Sequence, residues 1–228
     1  MAVLNLQVNT SAGDAHAGSI NNDSGRNVTS GANISSLTDN PISPGSHGGN
    51  NEHTAAFRFT GVTVANAATI NSATFKLTAQ ATYNAGANTV SYLVSAEASD
   101  NAPALTATGA GELLTSTARP RTTAVSSAWN QTSVTADTEY SIDITSVIQE
   151  IVNRVGWVSG NAILILVDTN TTTTLGEWQD YYSYDGSTTK AAKLDIDYGS
   201  AGGQPTIKRF GAVPYVPTSN YMQGGKVW

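Results

Sequence analysis

The sequence contains no cysteine, which excludes disulfide bonds and thiolate-held metal and leaves the compartment open. No stretch reaches the roughly 18 consecutive apolar residues of a membrane-spanning helix, so no membrane partner is expected. Basic residues are scarce: 11 Lys and Arg stand against 17 Asp and Glu, a formal charge of −6. That balance argues against a nucleic-acid groove, and no nucleic-acid partner is expected. Charged residues of both signs make up 12% of the chain and hydrophobic residues 39%, the ratio of a folded body with a polar, sparsely charged surface. The opening MAVLNLQVNT has neither a basic region nor an apolar run behind it, so no signal peptide is expected.

What is present is organised around residues 140–167. Tyr140, Ile142 and Ile144 alternate with polar neighbours, which is strand periodicity. From Ile144 the period changes: Ile144, Val147, Ile148, Ile151, Val152 and Val155 share one face of a helix expected at about 144–155. Asp143 stands at the expected N-cap, Arg154 in the last turn, and Gly156 where a left-handed residue would end the helix. Trp157 is expected to plug the gap beneath it. A Gly160-Asn161 turn leads to the apolar run AILILV, expected as a buried strand. Ile144, Val147, Ile148, Ile151 and Trp157 are the expected core of this unit.

Other segments alternate in the same way. Leu4, Leu6 and Val8; Ala55, Phe57 and Phe59; Ala73, Phe75, Leu77 and Ala79; and Val90, Tyr92, Val94 and Ala96 each place one face in a core. Shorter strands are expected at 122–125, 177–182 and 191–198, with turns at Asn84-Ala85-Gly86 and Asp185-Gly186. Residues 9–53 are rich in Gly, Ser and Asn, with room for a short strand near Val28 or Ile34. The fold class follows: an all-β jelly-roll β-sandwich with one short α-helix. The chain divides into an N-terminal strand and long loop or arm (1–53), a sandwich core (54–198), a Gly-rich linker (199–205) and a C-terminal docking tail (206–228).

The order strand, Asp143-Ile144-Thr145, short helix, Asn153-Arg154, Gly156-Trp157, Gly160-Asn161, apolar strand resembles the DNRLRE-type domain. Residues 57–77, with the run FRFTGVTVANAATINSATFKL, resemble that family's entry, and KAAKLDIDY (190–198) its closing strand. The likeness covers about residues 54–198. It implies a jelly-roll sandwich similar to carbohydrate-binding modules, found in bacterial surface and secreted proteins. The arginine-bearing segment that names the family has no clear counterpart; EWQDYYSYDG stands in its place.

No catalytic constellation emerges, and no enzyme activity is expected. His16, His47 and His53 fall in a polar region without paired metal-ligand spacing. There is no GxSxG elbow and no Gly-rich phosphate loop opening a helix. Asn21-Asn22-Asp23-Ser24-Gly25 and Asp185-Gly186 offer oxygen ligands; a structural calcium ion is the one cofactor they leave open, and turn chemistry explains the same residues without it. Trp178, Tyr181, Tyr182 and Tyr184 beside Glu177 and Asp180 form a candidate glycan platform, weighed against rings that fill the core. A glycosidase needs two carboxylates across a cleft, which spacing in sequence does not establish. The triplets Asn27-Val28-Thr29 and Asn130-Gln131-Thr132 match the glycosylation pattern in a chain rich in Asn and Thr.

The tail differs from the body. Lys208, Arg209 and Lys226 are three of the 11 basic residues and no acid accompanies them, so the tail carries +3 and the body, with 8 basic against 17 acidic, −9. Phe210, Tyr215, Tyr221 and Trp228 make it suited to docking on a partner. It resembles, over about two dozen residues, the C-termini of small phage particle proteins. The leading expectation is a structural protein of a virus particle: a capsid decoration, fibre or other head or tail accessory subunit. Its partners would be other virion subunits, with a homo-oligomer expected. The alternative is a carbohydrate-binding or adhesin module of an extracellular or cell-surface protein, with a glycan as partner.

Overall fold

The computed structural model describes residues 1–19, 33–34, 36–47, 52–84, 88–106, 112–113 and 118–199. In chain order the strands are β1 (Ala2–Gln7), β2 (Asp14–Ser19), β3 (Asn33–Ile34), β4 (Gly45–Ser46), β5 (Glu52–Phe59), β6 (Ile70–Thr78) and β7 (Tyr83–Asn84). They continue with β8 (Val90–Ala96), β9 (Glu112–Leu113), β10 (Trp129–Gln131), β11 (Ser133–Val134) and β12 (Glu139–Asp143). The helix α1 (Thr145–Val152) then precedes β13 (Ile163–Thr169) and β14 (Lys193–Tyr198).

One sheet has the order β1-β14-β6-β12; a second runs β10-β8-β13-β5-β2-β3-β9, with β4 also on β5; β7 and β11 form a separate two-stranded pair. The named strand pairs are antiparallel. Eight strands carry the sandwich: β1, β5, β6, β8, β10, β12, β13 and β14. Renumbered by chain position they stand 1-8-3-6 in one sheet and 5-4-7-2 in the other, which is the jelly-roll order. Consecutive strands therefore alternate between sheets until β8 and β10, and the apolar face of each must be shared with its opposite sheet.

The alternation read from the sequence fills that shared core. Phe57 and Phe59 from β5, Phe75 and Leu77 from β6, Tyr92 and Val94 from β8, Ile165 and Val167 from β13, and Leu194 and Ile196 from β14 are buried together. The run at 162–167 is apolar at every position because both of its faces are covered. Ile163, Ile165 and Val167 enter the main core, whereas Leu164 and Leu166 pack outward against Ala102 and Leu105 in a second, smaller cluster.

The helix is shorter than the sequence spacing implies. Val147, Ile148, Ile151 and Val152 are buried, but Val155 is fully exposed beyond the helix end. Asn66 explains the early stop: its Nδ2 donates to the carbonyls of Val152 (2.9 Å) and Arg154 (2.7 Å), while the Ala67 N–H takes Val152 as well. These are the carbonyls that further helix would need. The N-cap is Ile144, and Asp143 one residue earlier accepts from the Thr145 N–H at 2.7 Å. Arg154 pairs with Asp100 at 2.6 Å instead of closing the last turn. Gly156 is not among the positive-φ residues. Trp157 is buried as expected, its Nε1 donating to the Val64 carbonyl at 2.9 Å.

Two expected strands are not regular strands. Residues 122–125 follow a single bridge, Arg121 to Glu97, and hold β8 through Thr122 and Ser126 hydroxyls. Residues 177–182 make isolated bridges only, Trp178 to Gly45 and Tyr181 to both Ile42 and Ala79. That segment spans the side of the sandwich from one sheet to the other, so no single ladder can propagate along it. Residues 1–53 contribute β1 to one sheet and β2, β3 and β4 to the other, with Val28 and the 21–25 segment outside the described residues.

Candidate functional site

Trp178 sits in the crossing segment, and Gly45 makes its position attainable. Gly45 has φ +130°, and a Cβ there would lie 2.6 Å from Trp178 Cα and 2.8 Å from the Glu177 carbonyl oxygen. Only glycine allows both the dihedral and the approach. The Ser46 N–H donates to the Glu177 carbonyl at 2.9 Å and the Gln179 N–H to Pro44 at 3.3 Å, fixing residues 177–179 against β4.

The indole is 39% exposed. It stacks on His47 with ring centroids 4.5 Å apart, and His47 stacks on His53 at 3.9 Å. Beside it lies a groove of about 240 Å³ lined by Thr82, Tyr83, Glu177, Trp178, Gln179 and Asp180, among others. Both Glu177 oxygens are held: Tyr83 donates its hydroxyl to Oε2, and Asn88 Nδ2 donates to Oε1 at 2.6 Å. Ser43 donates to Asp180 Oδ1 at 2.6 Å. The carboxylates are thus fixed in direction and keep lone pairs for further donors.

Burial lowers the His47 pKa from its usual value, against the opposing pull of the Ser43 carbonyl and Asp180. Burial, then the Glu177 carboxylate, raises that of the Tyr83 hydroxyl. The result is a neutral imidazole behind the indole and a phenol that stays a donor. An apolar ring face flanked by oriented acceptors can hold a ring-bearing, hydroxyl-rich ligand.

The four aromatics expected as a platform do not act together. Tyr181 is fully buried and makes edge contact with Tyr92, so it belongs to the core. Tyr182 donates to Asp137 at 2.8 Å and lies under Lys190. Tyr184 is a partly buried neighbour of the main core. Of these four, Trp178 alone lines the groove: Tyr181 turns inward with Gln179 and Ser183, and Tyr182 and Tyr184, half-buried on the other face, lie beyond it. Sequence reasoning missed Tyr83, Asn88, His47, His53 and Gly45 as its companions. Ser43-Pro44-Gly45-Ser46 was legible only as part of the Gly-, Ser- and Asn-rich region 9–53.

Asp185 accepts from Ser11 Oγ at 2.8 Å, and the neighbouring Asp14 accepts from the Tyr184 N–H at 2.7 Å. Among the described residues no group of three or more His, Asp or Glu side chains stands together as a cation site. Asp14 is 1% exposed and its Oδ1 has no hydrogen-bond partner among the described residues. Residues 200–228, with Phe210, Tyr215, Tyr221 and Trp228, lie outside the described residues.

No protein-family model matches the chain, and no curated protein sequence matches it.

Proposed function

We propose that the chain is a non-enzymatic structural subunit of a virus particle, a capsid decoration, fibre or other head or tail accessory protein. The observation that carries this reading is that all eight jelly-roll strands lie between Ala2 and Tyr198, so the sandwich is complete without residues 206–228. A segment with +3 charge and four large aromatics, surplus to a body of −9, suits docking in an acidic groove on a neighbouring subunit. Phe210, Tyr215, Tyr221 and Trp228 are its contact residues, with Trp228 as the anchor. Truncation after Gly203 tests it. The truncated protein is expected to melt cooperatively near the full-length temperature and to lose binding to its particle in co-sedimentation. Loss of folding instead would make the tail part of the domain and end this reading.

A second reading has its own support. Trp178 is exposed beside Glu177 and Asp180 in a groove, the arrangement a carbohydrate-binding or adhesin module uses, and the likeness of residues 54–198 to DNRLRE-type domains agrees with it. Glycan-array binding abolished by Trp178→Ala, with the unfolding midpoint retained, is the expected result. An array without any signal would remove this reading and leave the first untouched.

A further inference from the structure

We propose that the free edge of β1 pairs antiparallel with β1 of a second copy of this chain, joining two four-stranded sheets into one. A sheet edge presents unpaired N–H and C=O groups, and folded proteins protect it by shortness, charge, proline or cover. The other sheet ends at β10, of three residues, and at β9, of two; β12 is five residues long and carries Glu139 and Asp143. β1 has six residues, AVLNLQ, without charge or proline. Among the described residues its ladder runs only to β14. Val3 is 67% exposed on it.

The strand is complementary to itself. Leu4 and Leu6 are partly buried against the core, so Val3 and Asn5 point to the opposite face. Antiparallel pairing keeps like faces together, which leaves two central registers. Either Leu4 meets Leu4 of the second copy and Val3 meets Asn5, or Leu4 meets Leu6 and Asn5 meets Asn5. Both complete the burial of leucines at the margin of the core, and neither opposes like charges. The same pairing at β12 would bring acidic residues together. The net charge of −6 does not prevent contact at an uncharged strand, because exposed charges beyond about 8 Å are screened at physiological salt. This goes beyond the assembly reading, since it needs no part of residues 206–228, and truncation after Gly203 tests that reading separately.

Sedimentation equilibrium of the full chain is expected to show a dimer. Val3→Lys with Asn5→Lys places lysines opposite one another on the outward face and should weaken association by about tenfold or more, with an unchanged circular dichroism spectrum. In the register that sets residue 3 against residue 5, Val3→Lys with Asn5→Glu should restore it; in the other register it sets the two introduced glutamates against each other, and association should stay weak. Because the chain has no cysteine, Val3→Cys with Asn5→Cys gives an independent reading: oxidation should cross-link two copies in either register. A full chain that stays monomeric at all concentrations overturns the proposal. So does a double-lysine variant that dimerises as tightly as the parent, or a cysteine variant that never cross-links.

Discussion

Trp178 lies across the imidazole of His47, the planes 22° from parallel and the centroids 4.5 Å apart. The contact depends on a third residue that has no side chain. Gly45 lets the backbone of 177–178 press onto β4 at a distance no other residue permits.

Gly45→Ala is therefore expected to destabilise the protein by more than the usual glycine substitution. The φ of +130° strains any L side chain, of order 1–3 kcal/mol, and the added Cβ meets backbone that cannot step aside. Urea unfolding should show a loss of at least about 2 kcal/mol, and Trp178 emission should shift as the stack opens. An unchanged midpoint with unchanged emission would refute the role given to Gly45.

A second prediction concerns the outer face of the larger sheet. Arg121 Nη2 and Nε donate to Asp168 at 2.8 and 3.2 Å, and Thr54 Oγ1 adds a bond at 2.9 Å. Arg121 is 5% exposed and Asp168 0%. Arg121→Met leaves a buried carboxylate without its counter-charge and should cost about 3–5 kcal/mol. Replacing both, Arg121→Met with Asp168→Leu, should recover much of that, since two apolar groups need no compensation. A double variant as unstable as the sum of the singles would mean that the pair is not coupled as the geometry implies.

The sandwich strands were legible because each keeps a period of two over several residues, as at Phe57 and Phe59 or Leu194 and Ile196. The helix was legible in type but not in extent. Its stop is set by Asn66, which precedes it by most of a hundred residues and carries no local signal. The site was legible at Trp178 and its neighbours Glu177 and Asp180. Tyr83, Asn88 and Glu177 meet through pairings of |i−j| 94 and 89, and the crossing segment places its rings by bridges to two sheets. Periodicity separates Tyr181 from Tyr182, and one is core while the other is a half-buried partner of Asp137; it carries no signal for which of the outward rings meets the groove.

The last prediction is a pH dependence centred on Asp14. Burial, with a smaller contribution from Asp185, raises its pKa from 3.8 to about 7, against the lowering effect of the Tyr184 N–H. An acid raised on folding favours the folded state only while it is protonated. Its contribution is full below pH 3.8, falls as pH rises through the interval, and is gone above about pH 7. At one pKa unit per 1.36 kcal/mol the loss is at most about 4 kcal/mol. His47 acts in the opposite sense: its pKa is lowered below 6.5, so stability rises with pH as the unfolded imidazole loses its proton. The two partly cancel on the acid side, and wild type alone would hide both. Asp14→Asn isolates the first. The unfolding free energy of Asp14→Asn minus that of wild type should grow from pH 4 to 7 and then level off. A difference that stays constant across that range would show that Asp14 is ionised in the folded protein, with its Oδ1 satisfied by a donor or cation.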